Sequence, residues 1–282
     1  MTSIILPVGP VSLRLRTEEE GFIEALKEYF IGSREEGKED LLLDLQIKEN
    51  KESGPVPNSL YLTKKMKGRE IYTGNGLIKI LPGKTSLHFQ LQIDPLILKG
   101  GYIRVFEQIF YQAALTAIKS TKKKVHLIHS SSVKKGDFTY MFVGKSEAGK
   151  STAAQLSSAY HILNDEISII EEREDTLYLY GSPFNGLFRE KKPGDGPLRA
   201  ILLLRQAQFH KLTKADKGEA IKTLAHEIIP PLGLEDFPRN DTYLTMLDQA
   251  TNLYGKVPHY HMDFLPDSGF WEEIKKEFER ET

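Results

Sequence analysis

The chain has 282 residues and a mass of 32.0 kDa, enough for one large domain or two modest ones at roughly 150 residues each. Lys and Arg number 38 against 39 Asp and Glu, and mean hydropathy is -0.36 with no run near the ~20 apolar residues of a membrane span. Neither a nucleic-acid nor a membrane partner is therefore expected. The absence of cysteine excludes disulfides, iron–sulfur clusters and thiol catalysis, leaves oxygen and imidazole as metal donors, and fits the expected location, a reducing cytoplasm.

Met1 to Val8 is apolar, lacks a basic flank and is broken by Pro7, which predicts an edge strand rather than a signal peptide. Thr17 before three glutamates predicts a helix N-cap, with Phe22, Ile23, Leu26, Tyr29 and Phe30 at helical spacing behind it. Strands are predicted at Leu41–Ile47, Leu60–Thr63, Glu70–Thr73, Leu77–Leu81 and Ser86–Gln92, with a hairpin at Gly74-Asn75-Gly76. Tyr102 to Ser120 has the period of an amphipathic helix. Residues 1–122 thus read as a small N-terminal α+β unit, with an antiparallel sheet and little else to mark its role.

From residue 123 to 282 the pattern is α/β. Strands are predicted at Val125–His129, Phe138–Val143, His161–Asn164, Ile167–Ile170, Thr176–Tyr180, Arg199–Leu204 and Pro258–Phe264. Helices are predicted at Ser151–Ala159, Lys217–Ile229, Tyr243–Tyr254 and Phe270–Phe278. The informative stretch is Gly144-Lys145-Ser146-Glu147-Ala148-Gly149-Lys150-Ser151, which fits G-x-x-x-x-G-K-S/T. A polyphosphate cradle needs inward-facing backbone N–H groups, which glycines permit by tolerating unusual dihedrals and close approach. Lys150 supplies a point charge for the β and γ phosphates and Ser151 a hydroxyl for Mg²⁺, with Thr152 next in line. The apolar strand before the loop and the helix after it are the context the mechanism requires.

Such loops work with a carboxylate that holds the metal's water shell or takes the acceptor proton. Asn164-Asp165-Glu166 closes the next strand, whose end would lie beside the loop if the two strands were neighbours. Thr213-Lys214-Ala215-Asp216 imitates a guanine-reading motif but does not directly follow a strand end, and is read as coincidence. His259 and His261 share one strand face without a third ligand and are read as structural. Arg189 and Arg205 are weighed as phosphate contacts and read as surface charges, and Trp271 as core.

The succession His129-Ser130-Ser131, a strand, the Gly144–Thr152 loop and Ile162-Leu163-Asn164-Asp165-Glu166 resembles the kinase domain of HPr kinase/phosphorylase, and more closely its shorter bacterial relatives. Gly181-Ser182-Pro183-Phe184-Asn185-Gly186, Pro197-Leu198-Arg199-Ala200, and Val257-Pro258 to Phe264 ahead of Phe270-Trp271 extend the likeness over about residues 125 to 278. The resemblance implies an α/β fold of the HPr-kinase and ATP-type phosphoenolpyruvate carboxykinase kind. It implies Asp165 as the catalytic carboxylate, His129 near the phosphates, and Ser151, Asp165 and Glu166 around Mg²⁺. Glu166 stands where the family has a second Asp, Leu187 where relatives often have Glu, and the long signature of true HPr kinases is missing. The expected activity is an ATP- and Mg²⁺-dependent kinase acting on a hydroxyl, serine on a peptide or protein, with self-association left open. The alternatives are a nucleotide-binding regulatory or adaptor protein without transfer, and a small-molecule hydroxyl kinase.

Overall fold

The computed structural model describes residues 2–30, 32–48, 64–67, 70–73, 78–82, 88–95, 107, 123–184, 192–229 and 242–279. They fall into two compact units, the second beginning at Lys123.

In the first unit, β1 (Thr2–Val8) and β2 (Val11–Thr17) form a tight antiparallel hairpin. Gly9 at its tip has φ 61, a value that costs glycine no Cβ clash. Helix α1 (Glu20–Tyr29) then carries the chain to β3 (Leu41–Ile47), which lies parallel to β2. Thr17 is therefore the last residue of a strand and not the expected N-cap. That position falls to Glu19, which makes no side-chain cap bond, while Thr17 Oγ1 accepts the Glu19 N–H at 3.2 Å. Strands β4 (Lys64–Lys67), β5 (Glu70–Thr73), β6 (Ile78–Pro82) and β7 (His88–Ile93) complete the sheet in the order β1-β2-β3-β7-β6-β5-β4.

The expectation of an antiparallel sheet needs correction, because β3 also runs parallel to β7. A helical crossover between β2 and β3 forces the parallel arrangement, as a short hairpin could not. One face is apolar, with Leu13, Leu15, Leu41, Leu43, Leu91 and Ile93 buried by strict alternation, and Phe22, Ile23 and Leu26 of α1 are buried with them. The strand expected at 60–63, the turn at 74–76 and the helix at 102–120, apart from helical Glu107, lie outside the described residues.

The second unit is built on β8 (Lys124–His129), β9 (Ser131–Lys135), β10 (Phe138–Val143), β11 (His161–Asn164), β12 (Ile167–Arg173), β13 (Thr176–Tyr180), β14 (Asp195–Gln206), β15 (Lys211–Lys214) and β16 (His259–Phe264). The order is β11-β9-β10-β14-β13-β12-β8, with β16 on the far side of β14 and β15 beyond it. β10, β14 and β16 are mutually parallel. Parallel central strands are covered on both faces and so read as continuous apolar runs.

Along β10 and β14, Tyr140, Phe142, Ala200, Leu202 and Leu204 face one core with α2 (Lys150–Gln155) and α5 (Phe270–Glu279). Met141, Val143 and Ile201 face the other core, with α3 (Lys217–Glu227) and α4 (Thr242–Tyr254). Trp271 is buried in the first core, edge-on to Tyr140, and its indole N–H donates to Ser157 Oγ at 2.9 Å. Full burial of an indole is favourable only when that N–H finds an acceptor.

Helix α2 is shorter than expected. After Gln155 the bonds tighten to i−3, from Ser157 to Ala154 and from Ser158 to Gln155, while Ser157 Oγ donates back to Ala153 O at 2.6 Å. Serine hydroxyls compete with the helical ladder in this way. Asp216, the acid of the guanine-motif imitation, is the N-cap of α3, its carboxylate accepting the Glu219 N–H at 3.0 Å. Asp216→Ala is expected to lower stability by about 1 kcal/mol, read as a lower urea midpoint at unchanged slope.

Candidate functional site

The loop from Gly144 to Ser151 leaves the carboxyl end of β10 and enters α2. Lys145, Ser146 and Glu147 are exposed, Ala148, Gly149, Ser151 and Thr152 half-buried, and Gly144 and Lys150 buried. Two glycines are required by geometry. A Cβ on Gly144 would stand 2.8 Å from Ala148 Cβ, and one on Gly149 would stand 2.7 Å from Phe264 Cζ, at a backbone φ of 103 that disfavours any side chain. Glu147 adopts a positive φ of 66, uncommon for a residue with a Cβ. The turn is closed by the Ala148 N–H on Lys145 O at 3.1 Å and tied to β14 by Gln206 Nε2 on Glu147 O at 2.8 Å. Lys150 folds its ammonium back under this curve, donating to Gly144 O at 2.6 Å and Lys145 O at 3.3 Å.

Three crossings bring the other expected residues to the same edge of the sheet. β9 runs antiparallel to both β10 and β11, pairing Ser131 with Phe142 and Ser132 with Asn164. Asp165 therefore does not stand on a strand next to β10, as its place in the sequence suggested. β9 intervenes, so β10 and β11 are two strand spacings apart, about 10 Å in the hydrogen-bonding direction. The segment was missed as a strand because Ser130-Ser131-Ser132 carries no apolar signal.

Its serines are fully buried and bonded instead. Ser131 Oγ donates to Lys150 O at 2.7 Å and Ser130 Oγ to Ser168 Oγ at 2.6 Å, while Asn164 Nδ2 donates to Ser132 Oγ and, at 3.2 Å, to Ser168 Oγ. This polar layer fixes the start of α2, the end of β11 and the link between β8 and β9 as one piece. Asp165 is buried beside it, with 1% of its surface exposed. The side chain of Glu166 is 36% exposed, and its carbonyl accepts the Ser130 N–H at 3.1 Å.

His129 ends β8 and is half-open to solvent. Its Nδ1 lies 3.1 Å from Glu227 Oε2 and its Nε2 3.9 Å from Glu166 Oε1. The same Glu227 oxygen lies 3.7 Å from Lys150 Nζ. Glu227 is the residue that sequence reasoning passed over. The signal was present, since an acid in the last turn of a helix opposes the helix dipole and calls for a cation elsewhere. His126 points away, to Glu172 at 2.7 Å and Gln249 at 3.3 Å, and its bond to Glu172 holds that carboxyl below the ordinary carboxylate range.

The remaining candidates are accounted for locally. Arg205 is paired in two bonds with Asp263, at 2.8 and 3.0 Å, and Arg189 lies outside the described residues. His259 bonds the Val257 carbonyl at 2.8 Å, with burial pulling its pKa down to about 4, and His261 faces Glu219 at 3.2 Å.

Among the described residues no group of three or more His, Asp or Glu side chains could hold a metal by itself. Mg²⁺ bound with a nucleotide does not require one, since one or two carboxylates and phosphate oxygens suffice. A half-buried Ser151 hydroxyl and a half-exposed Glu166 beside a loop that admits only glycine at its two ends fit that form of binding. No helix among the described residues is long and apolar enough to cross a membrane.

A scan against protein-family models finds no match, and neither does a search of curated proteins. Among solved structures, the chain is similar to the Hpr(Ser) kinase/phosphatase from Coxiella burnetii, with 7% sequence identity and a TM-score of 0.30 over 55% of this chain and 93% of that one. A likeness at that score says nothing of activity.

Proposed function

We propose that the chain is an ATP- and Mg²⁺-dependent kinase that transfers the γ phosphate to a hydroxyl, that of serine on a peptide or protein. The observation that supports this most is the loop itself: glycine is sterically required at both ends, and Lys150 turns its ammonium into the curve. In this reading the loop amides and Lys150 bind the β and γ phosphates. Ser151 and Glu166, with Asp165, hold Mg²⁺, whose part when bound is to neutralise phosphate charge. The acceptor O–H gives its proton to Asp165 as its oxygen bonds to the γ phosphorus. The bond from that phosphorus to the β–γ bridging oxygen breaks, and ADP leaves with the oxygen. His129 stands beside the transferred group. The protein's contribution is positioning and charge compensation rather than covalent chemistry.

The deep burial of Asp165 favours a second reading, a nucleotide-binding regulator, because a base must touch the hydroxyl that it deprotonates. Incubation with γ-labelled ATP, Mg²⁺ and a library of serine peptides separates the two, with phosphoserine expected by mass spectrometry. Tight ATP binding with no labelled product would leave the regulator. Ser151→Ala is expected to weaken Mg·ATP binding while leaving Mg-free ATP affinity nearly unchanged, since its hydroxyl serves the metal alone. Calorimetry with and without Mg²⁺ reads the difference, and equal losses would remove Ser151 from the metal site.

A further inference from the structure

Glu227 has the surroundings of a functional rather than a structural carboxylate. It is 9% exposed at the end of α3, where both burial and the helix dipole disfavour a negative charge unless it is paired. Its backbone is held on both sides. The Ile228 N–H returns to Leu224 O at 3.1 Å, Ile228 bridges Ile128, and the Ile229 N–H donates to Leu127 O at 2.8 Å. The chain leaving α3 is thus stitched to β8 next to His129. One oxygen serves two partners, Lys150 Nζ at 3.7 Å and His129 Nδ1 at 3.1 Å. On the other side of the His129 ring, Glu166 Oε1 lies 3.9 Å from Nε2. The other bonds of the Lys150 ammonium go to neutral carbonyls of the loop. A polyphosphate seated in the loop would therefore compete with Glu227 for this lysine.

Resting on the phosphate-loop reading above, we propose that Glu227 is an exchangeable counter-ion of Lys150 and the positioning residue of His129. A bound polyphosphate takes the lysine, and the carboxylate is left to His129, holding the ring at the mouth of the loop. The two roles pull a substitution in opposite directions. Glu227→Gln is nearly isosteric and removes the competing negative charge, so affinity for polyphosphate should rise by about threefold or more at low salt. The same change leaves His129 a weaker, neutral anchor, so turnover should fall by roughly tenfold or more, as expected for a misplaced group. A carboxylate that only holds the fold would lower both.

The test is calorimetry of the full chain with inorganic tripolyphosphate and with Mg·ATP, beside transfer of the labelled γ phosphate from ATP to serine peptides. If Glu227→Gln does not fold, Glu227→Asp is measured instead. It stands one methylene farther from both partners and should show the same two shifts at smaller size. Unchanged affinity, or affinity and turnover falling together, would overturn the proposal while leaving the kinase reading intact. Tighter binding in a chain whose wild type transfers nothing would support the counter-ion role and overturn the kinase reading. No binding of either probe to any chain would overturn both.

Discussion

Lys150→Ala is expected to weaken Mg·ATP binding by roughly ten- to a hundred-fold and to abolish phosphate transfer. The range follows from the ~1.5–3 kcal/mol of a hydrogen bond to a charged group. The loss of transfer should be the greater, because charge on the phosphates grows and shifts as the reaction proceeds. Removing the ammonium also takes from Glu227 its lysine neighbour and leaves it beside His129. Thermal unfolding should therefore be measured beside affinity, to keep a folding defect from passing as a binding one. The loop carbonyls of Gly144 and Lys145 lose a donor as well, and because the Gly144 bond is buried its loss adds to the stability cost. Unchanged Mg·ATP affinity in a folded Lys150→Ala chain would remove the phosphate-loop assignment.

Asp165→Asn is expected to slow transfer by about 10²-fold or more, the usual worth of a positioned base, with little change in Mg-free ATP affinity. The substitution is nearly isosteric, so the burial of this side chain should survive it. If Asp165 mainly holds the metal, Mg·ATP affinity falls together with turnover, and raising Mg²⁺ restores part of the rate. Measuring affinity and transfer at several Mg²⁺ concentrations separates a base from a metal ligand. Full transfer by Asp165→Asn would strike Asp165 from the chemistry and move attention to His129, which is open to solvent where Asp165 is not.

Much of the second unit could be read along the chain. Strand β10 has the bounds its apolar run predicted, as do β11 and β13. A strand buried on both faces must be continuously apolar, and that is a local signal. The loop was legible for a similar reason. Gly144 is needed because of Ala148 close by and Gly149 because of its own positive φ, although the atom that forbids a Cβ at Gly149 belongs to Phe264, far along the chain. Segments whose polar side chains bond only to distant partners were not legible. β9 opens on two buried serines whose partners are distant, Ser131 donating to Lys150 O of α2 and Ser132 accepting from Asn164 of β11. No window of sequence reveals that these hydroxyls will be satisfied, and without that knowledge the segment reads as a loop.

The same division holds for the site. Residue types and spacing along the chain were sufficient to single out the glycine-rich loop, Lys150 and Ser151, because the steric and charge requirements of such a turn lie within a few consecutive residues. Tertiary structure alone decided how far Asp165 stands from the loop, since strand order, with β9 between β10 and β11, is a property of the sheet and not of either strand. It also alone decided that Glu227 meets Lys150 and His129. Those three residues belong to separate elements; an acid in the last turn of a helix calls for a cation, but which one it meets is settled only when the charges are buried together.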